Sequence, residues 1–145
     1  IILDNSITGM TGHQQNPTTG KTLKGEDTPR VDIEAICRAI GIKRVTKVNP
    51  DDIDVLEQII KTETEIDEPS VIITQKPCAL LKDVVHPAPL AVDNDACIGC
   101  KACLKMGCPS ISVNNKKAKI DVTTCRGCGL CAKMCKVSAI KGVTK

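Results

Sequence analysis

Apolar residues in the first half of the chain form short runs separated by stretches with helical spacing. The runs Ile1–Leu3, Arg44–Val48 and Val71–Thr74 predict three strands, because short apolar or β-branched stretches are typical of buried parallel strands. Apolar positions recur three to four residues apart from Asp32 to Ile40 and again from Ile53 to Ile60, which predicts two amphipathic helices. The resulting order of strand, loop, helix, strand, helix and strand is typical of a layered α/β unit.

The second half of the chain repeats one short cysteine motif. The spacing C-x2-C-x2-C occurs twice, and a methionine lies three residues after the last cysteine of each copy. Between the copies, Ile111–Val113 and Lys119–Val122 flank the polar residues 114–117, which suits a short hairpin. Two copies of one small motif indicate approximate internal symmetry.

Pro87 and Pro89 separate the two halves. Because prolines disfavour helix and stiffen the chain, residues 86–94 are expected to form a linker between an α/β part at 1–85 and a cysteine-rich domain at 95–145. Residues 1–96 contain 10 Lys and Arg against 16 Asp and Glu, whereas residues 97–145 contain 10 against one. The basic module either attracts an acidic redox partner or simply uses its lysines for solvation.

The composition argues against several kinds of partner. No apolar stretch approaches the twenty residues that span a bilayer, and the start of the chain lacks the features of a signal peptide, so a cytoplasmic protein without membrane contact is expected. The absence of Phe, Tyr and Trp removes stacking platforms for single-stranded nucleic acid. The chain does not start with Met and opens inside a predicted strand, so an upstream portion is expected.

The cysteine runs indicate iron–sulfur clusters. Three cysteines at this spacing can bind one face of a cubane, and in the two-cluster bacterial pattern the distal cysteine of each run ligates the cluster of the other run. The second half is therefore expected to be an α+β, bacterial-ferredoxin-like domain with two [4Fe–4S] clusters. One predicted ligand set is Cys97, Cys100, Cys103 and Cys135, and the other is Cys125, Cys128, Cys131 and Cys108.

Two departures from the usual pattern affect the distal cysteines. One extra residue precedes Cys108, and Cys135 is followed by Lys136 where a proline is usual. Structural zinc is a weaker interpretation, because zinc sites pair two cysteine units per ion and do not use a third cysteine three residues on. Cys37 and Cys78 are expected to be structural thiols outside both sets.

The segment from Leu3 to Gln14, which reads LDNSITGMTGHQ, closely resembles the thiamine diphosphate segment of 2-oxoacid:ferredoxin oxidoreductases. Its Met-Thr-Gly-His-Gln variant resembles the α subunit of indolepyruvate ferredoxin oxidoreductases. That family also ends in a two-cluster ferredoxin domain, so the resemblance covers nearly the whole chain in the same order.

The resemblance implies a binding site for thiamine diphosphate and Mg²⁺. It implies that Asn5 supplies a side-chain oxygen and Ile7 a main-chain carbonyl to Mg²⁺, with Thr11 and Gly12 close to the diphosphate. The Gly-Asp-Gly element that provides the metal-binding aspartate of the family is absent and is expected upstream of Ile1. His13 is the candidate catalytic residue, although His13 and Gln14 are more simply interpreted as holding the loop by hydrogen bonds.

The implied activity is oxidative decarboxylation of a 2-oxoacid to an acyl-CoA, with indolepyruvate or another aryl pyruvate as the implied substrate. The implied electron path runs through the two clusters to ferredoxin, and the implied partners are a small β subunit, coenzyme A and the 2-oxoacid. Two alternatives stay open: a non-catalytic electron-transfer module fused to an α/β docking domain, and a zinc-binding interaction protein.

Overall fold

The structure, a computed structural model, describes residues 1–142 and divides the chain into the units Ile1–Val84 and Val85–Lys145. The last three residues of the predicted domain at 95–145 lie outside the described residues. The elements of the first unit are β1 (Ile2–Asp4), α1 (Ile33–Ala39), β2 (Arg44–Val48), α2 (Ile53–Thr64) and β3 (Ser70–Gln75). Each predicted helix and strand of this half is present, and the predicted α/β class is confirmed.

The strands of the first unit form a parallel sheet in the order β1-β3-β2. The central strand β3 is the most buried, and Ile73 is only 1% exposed. The chain passes from β1 over β3 to β2 and then returns to β3. Since crossovers between parallel strands are right-handed, these opposite directions place the two helices on opposite faces of the sheet.

Local sequence explains where α1 begins and ends. The Asp32 carboxylate caps the first turn by accepting hydrogen bonds from the backbone N–H groups of Glu34 at 2.9 Å and Ala35 at 3.2 Å. Gly41 follows the helix with φ at +97°, a left-handed conformation that glycine adopts without steric cost. The helix buries Cys37, which is 6% exposed, as expected for a structural thiol.

The second unit contains two antiparallel strand pairs. Its elements are β4 (Leu90–Val92), a 3₁₀ helix (Ala102–Met106), β5 (Ile111–Asn114), β6 (Lys117–Ile120), α3 (Leu130–Lys133) and β7 (Ile140–Gly142). Strand β4 pairs with β7, and β5 pairs with β6. The core between them contains aliphatic side chains together with three cysteines, Cys97, Cys103 and Cys131.

Two boundaries differ from those expected. The predicted linker, 86–94, contains β4, because Pro89 precedes the strand and does not interrupt its pairing with β7. The hairpin turn is also shorter than expected: Asn115 and Lys116 alone form it, with φ at +47° and +63°, and both flanking residues are paired. Positive φ at both turn positions gives the twist that antiparallel strands need.

Within residues 1–142, every helix is too short or too polar to cross a lipid bilayer.

Candidate metal centres and cofactor loop

The cysteine runs, which begin at Cys97 and Cys125, sit in two copies of one structural repeat. In the first copy, the Cys97 N–H donates to the Asp93 carbonyl at 2.9 Å, and the Asp93 carboxylate accepts the Ala96 N–H at 3.2 Å. In the second copy, the Cys125 N–H donates to the Asp121 carbonyl at 3.0 Å, and the Asp121 carboxylate accepts a backbone N–H at 2.9 Å. Each cysteine run therefore begins on a turn of the same type, which is capped by an aspartate.

The glycine inside each run lies against a backbone carbonyl. A Cβ at Gly99 would collide with the carbonyl oxygen of Lys116 in the hairpin turn. A Cβ at Gly127 would lie 2.6 Å from the carbonyl oxygens of both Pro87 and Ala88. Both glycines also have positive φ, at +69° and +65°. Ala88 and Lys116 are as far apart in sequence as Gly99 and Gly127 are. The repeat therefore includes the backbone segments that contact these two glycines.

The first predicted ligand set lines one cavity. Its four cysteines are Cys97, Cys100, Cys103 and Cys135. Burial raises the pKa of the Cys103 thiol, and the three other thiols of the set raise it further. The distal residue Cys135 therefore lies close to the first cysteine run, as crossed ligation requires.

The second predicted set shows the same association. Burial raises the pKa of the Cys131 thiol to about 11, and three neighbouring thiols contribute to the shift. Those neighbours are Cys128, Cys125 and Cys108. The extra residue before Cys108 does not keep its thiol away from the second run.

These two groups of thiols fit [4Fe–4S] clusters by their chemistry. Soft thiolates are the usual ligands of iron–sulfur clusters, four to a cubane. No group of three or more His, Cys, Asp or Glu side chains within residues 1–142 converges closely enough to hold a single metal ion. A cubane does not require such convergence, because each thiolate binds a different iron atom.

Backbone N–H groups and one lysine surround the sulfurs of the first set. The N–H groups of Ala118 and Gly99 lower the pKa of the Cys97 thiol, and the positive charge of Lys117 lowers it further. The Cys135 sulfur accepts the Ala139 N–H at 3.3 Å. Such donors stabilise negative charge on sulfur, as a cluster ligand requires.

Lys117 is a residue that the sequence motifs do not identify. Its Nζ donates to the carbonyl oxygens of Asn94 at 2.7 Å and Cys97 at 2.6 Å, so it fixes the start of the first cysteine run to strand β6. The sequence points to Lys117 through its position alone, because it occupies the place that Pro89 has in the other copy of the repeat.

The loop that resembles a thiamine diphosphate segment leaves the sheet at the end of β1. The carbonyls of Asp4 and Asn5 accept the N–H groups of Lys76 at 3.0 Å and Cys78 at 2.9 Å, which ties the loop to the chain after β3. The Asn5 side-chain oxygen accepts the Ile7 N–H at 3.2 Å. The loop therefore starts at the carboxyl ends of two adjacent parallel strands, where open α/β sheets bind ligands.

The remaining residues of the loop form a closed turn. Thr8 and Gln14 exchange two backbone hydrogen bonds of 2.9 and 3.0 Å, and the Thr11 hydroxyl donates to the Gln14 side chain at 2.8 Å. Gly12 and His13 both have positive φ, at +110° and +58°, and both are exposed. Gln14 thus holds the loop together, and His13 presents its side chain to solvent.

The oxygen donors of the loop are of the type that Mg²⁺ prefers. Asn5 offers an amide oxygen, and Ile7, whose side chain is 4% exposed, is held in place by burial. Amide and main-chain carbonyl oxygens are hard ligands suited to Mg²⁺. The residues present therefore fit a part of a magnesium diphosphate site.

Comparison with known proteins gives a family for each unit. Residues 1–74 match the family described as "Thiamine pyrophosphate enzyme, C-terminal TPP binding domain". Residues 90–136 match the family described as "4Fe-4S dicluster domain". The predicted order, a thiamine-binding α/β part followed by a two-cluster domain, is confirmed.

Curated relatives match the chain over nearly its whole length. The indolepyruvate oxidoreductase subunit IorA of Thermococcus kodakarensis is 39% identical over 97% of this chain and 23% of its own length. The same subunit of Methanothermobacter thermautotrophicus is 35% identical over 97% of this chain and 23% of its own length. The chain thus spans 23% of the length of these relatives.

A third relative matches a shorter part of the chain. The pyruvate synthase subunit PorD of Methanothermobacter marburgensis is 44% identical over 34% of this chain and 59% of its own length. The thiamine match covers more than half of the chain, and the resemblance to indolepyruvate oxidoreductase subunits covers both units. The chain therefore belongs to the thiamine pyrophosphate enzyme family, and its C-terminal TPP-binding domain is followed by a 4Fe-4S dicluster domain.

Proposed function

We propose that this chain is the C-terminal portion of the catalytic subunit of a 2-oxoacid:ferredoxin oxidoreductase that acts on indolepyruvate or another aryl pyruvate. The observation that carries the proposal is the cavity lined by four thiols from two separate cysteine runs, in a chain whose other unit belongs to a thiamine enzyme family. The relatives named as indolepyruvate oxidoreductase subunits support the choice of substrate class.

The thiol sets hold the electron carriers in this proposal. Cys97, Cys100, Cys103 and Cys135 bind one [4Fe–4S] cluster, and Cys125, Cys128, Cys131 and Cys108 bind the other. The chain contributes sulfur ligands, N–H groups that stabilise their charge, and an aliphatic core that keeps water from their buried sides. The two clusters together conduct electrons one at a time to ferredoxin.

The loop after β1 forms half of the thiamine diphosphate site. Asn5 and Ile7 bind Mg²⁺ through oxygen, while Thr11 and Gly12 lie close to the diphosphate. When bound, thiamine diphosphate supplies the carbon nucleophile and electron sink for decarboxylation of a 2-oxoacid. The task of this loop is to hold the diphosphate end at the edge of the sheet, and the remaining Mg²⁺ ligands come from other parts of the enzyme.

The proposed partners follow from the proposed reaction and from the resemblance to 2-oxoacid:ferredoxin oxidoreductases. Coenzyme A accepts the acyl group, ferredoxin accepts the electrons, and a small β subunit completes the enzyme. The surplus of Lys and Arg over Asp and Glu in residues 97–145, 10 against one, favours an acidic electron acceptor. Reduction of ferredoxin is then expected to slow as ionic strength rises, because salt screens the attraction.

The test is an anaerobic assay of the full-length subunit with its β subunit. Indolepyruvate, phenylpyruvate and pyruvate are compared as substrates with coenzyme A, and ferredoxin reduction is followed by its loss of visible absorbance. The expected result is reduction that depends on thiamine diphosphate, Mg²⁺ and coenzyme A and is fastest with the aryl pyruvates. Clusters that chemical reductants reduce but that no 2-oxoacid reduces would instead favour the non-catalytic electron-transfer module.

A further inference from the structure

The two cluster sites are related by the internal repeat, but one position near the sulfurs breaks the symmetry. Strand β6 begins at Lys117, and the corresponding residue in the other copy is Pro89, directly before β4. A lysine thus lies beside the first cysteine run where the second run has an uncharged proline. We infer that Lys117 raises the reduction potential of the first cluster above that of the second, so that the first electron resides on the first cluster; this inference rests on the proposed function. The first cluster is the one bound by Cys97, Cys100, Cys103 and Cys135.

The charge of Lys117 is held in place by structure. Its ammonium group donates to the carbonyl of Cys97 at 2.6 Å and to that of Asn94 at 2.7 Å, and the side chain is half-buried. The residue after it, Ala118, is 8% exposed and lines the cavity that contains the four thiols. A positive charge is therefore fixed next to a cluster ligand.

A fixed positive charge favours reduction of the neighbouring cluster. Each cluster gains one negative charge when it accepts an electron, and the attraction between that charge and the ammonium group is greater where water is partly excluded. The Cys135 sulfur of the same set also accepts an N–H at 3.3 Å, which acts in the same direction. Both features lower the energy of the reduced first cluster.

Opposing charge asymmetries include Asp95, an exposed residue two positions before Cys97 that corresponds to Thr123 in the other copy, and Arg126 in the second run. Arg126 lies in the second run where the first run has Ile98, and it brings a positive charge near the second cluster. The Arg126 side chain is exposed, and solvent and salt screen such a charge. Lys101 also lies in the first run, where Gly129 occupies the equivalent position in the second, but its side chain is exposed too, and solvent and salt screen its charge like that of Arg126.

At equilibrium, transfer between the clusters then favours the first cluster. An electron on the second cluster passes to the first, so that the second returns to its oxidised state and the first becomes reduced, with no bond made and no proton needed. In the singly reduced chain, the first cluster is the principal site of the electron. This assigns the cluster with Cys135 as the holder of the first electron.

The test is an anaerobic redox titration of the full-length subunit followed by electron paramagnetic resonance. Iron and acid-labile sulfide are measured first, so that a chain without clusters is recognised as a failure of the proposed function and not of this inference. Variants Cys128→Ser and Cys100→Ser, each damaging one cluster, assign the two signals. The protein that keeps the first cluster should titrate at a higher potential than the protein that keeps the second.

The role of Lys117 is tested by Lys117→Gln, with Lys119→Gln as the control. Lys119 lies further along the same strand and is exposed, so its replacement removes the same charge without loss of the carbonyl contacts. Lys117→Gln should lower the reduced-to-oxidised ratio of the first cluster about tenfold at a fixed potential, which corresponds to about 59 mV for one electron. Lys119→Gln should change that ratio much less.

Several results would overturn the inference. Equal potentials in the two single-cluster proteins, or a higher potential for the second cluster, would contradict it without any variant at Lys117. So would equal shifts from Lys117→Gln and Lys119→Gln, or a shift from Arg126→Gln larger than that from Lys117→Gln. If Lys117→Gln loses its first cluster, Lys117→Arg, which keeps the charge, should retain the higher potential.

Discussion

The backbone carbonyl of Lys116 lies directly against Gly99, in the space that a Cβ would occupy. This contact joins the hairpin turn to the first cysteine run and places β6 over the thiol of Cys97. The same relationship recurs between Ala88 and Gly127 in the second half of the repeat. The absence of a side chain at these glycines is therefore a condition for both cluster loops.

Replacement of Gly99 by alanine should release the first cluster selectively. The left-handed conformation alone costs about 1–2 kcal/mol for a residue with a Cβ, and the collision with a backbone carbonyl adds to that cost because backbone cannot easily yield. We expect Gly99→Ala to retain about half of the iron, measured by chemical analysis. Gly142→Ala is the control, since a Cβ there meets nothing within 4 Å and its φ is not positive.

Gly127→Ala should act in the same way on the second cluster. The carbonyls of Pro87 and Ala88 obstruct its Cβ, so the second run should move away from the segment before β4. Spectra of the two variants should then show the loss of different clusters. Identical spectra with both clusters retained would contradict this account of the loops.

Cys100→Ser should abolish ferredoxin reduction and leave cofactor binding intact. Serine offers a harder oxygen in place of the soft thiolate, which weakens the first cluster in the unit 85–145, while the thiamine loop lies in the unit 1–84. Binding of thiamine diphosphate with Mg²⁺ is measured by calorimetry and electron transfer by ferredoxin reduction. Cys37→Ala, which removes a buried thiol outside both sets, is the control, and physiological electron transfer in Cys100→Ser would disprove the electron path.

Asn5→Ala should weaken binding of Mg²⁺ and thiamine diphosphate to the full-length subunit. The variant loses the oxygen that we propose as a Mg²⁺ ligand and also the hydrogen bond that the Ile7 N–H donates at 3.2 Å. Asn5→Asp keeps a side-chain oxygen that can bind Mg²⁺ and accept the Ile7 N–H. It should therefore bind Mg²⁺ and thiamine diphosphate far better than Asn5→Ala. Calorimetric titration distinguishes the variants, and equal affinity of Asn5→Ala and the unaltered protein would exclude Asn5 from the site.

The ion pair between Arg44 and Glu63 should stabilise the first unit in a pH-dependent way. The guanidinium binds both carboxylate oxygens, at 2.9 and 3.0 Å, and joins β2 to α2. Its hydrogen bond holds the pKa of Glu63 below the usual value, with a smaller contribution from Ser70. A carboxyl with a lowered folded pKa stabilises the fold above its unfolded pKa, and that contribution disappears as pH falls through the folded pKa.

Hydrogen exchange of the β2 and α2 amides measures this effect locally. At pH 7, Glu63→Gln should exchange faster than the unaltered chain, and the difference should shrink below about pH 4, where the carboxyl of the unfolded chain is protonated. Glu65→Gln, one residue beyond α2, should exchange like the unaltered chain at both pH values. If Glu63→Gln still exchanged faster than the unaltered chain at low pH, the ion pair would not be the cause of the faster exchange.

Local patterns in the sequence were sufficient for the first unit. Strand β2 has the predicted bounds, and α1 lies within the helix predicted from Asp32 to Ile40, because β-branched runs and helical spacing act through near neighbours. Strands β4 and β7 were not predicted. Both are very short, and each forms because its partner comes from the opposite end of the second unit, which a local pattern does not reveal.

The cluster sets were predicted from spacing, whereas their surroundings were not. Crossed sets follow from the known two-cluster pattern, and the neighbours of Cys103 and Cys131 agree with those sets. The position of Lys117 beside Cys97 depends on how β6 folds over the first run. Sequence alone shows a lysine there, but not the two carbonyls that it binds.

The central claim is that two crossed sets of thiolates hold two cubanes, and metal analysis of the anaerobically purified full-length subunit tests it most directly. The account predicts about eight iron atoms and about eight acid-labile sulfides in this part of the chain, all lost when the eight cysteines are replaced by serine. A protein with zinc in place of iron, or with no acid-labile sulfide, would contradict it.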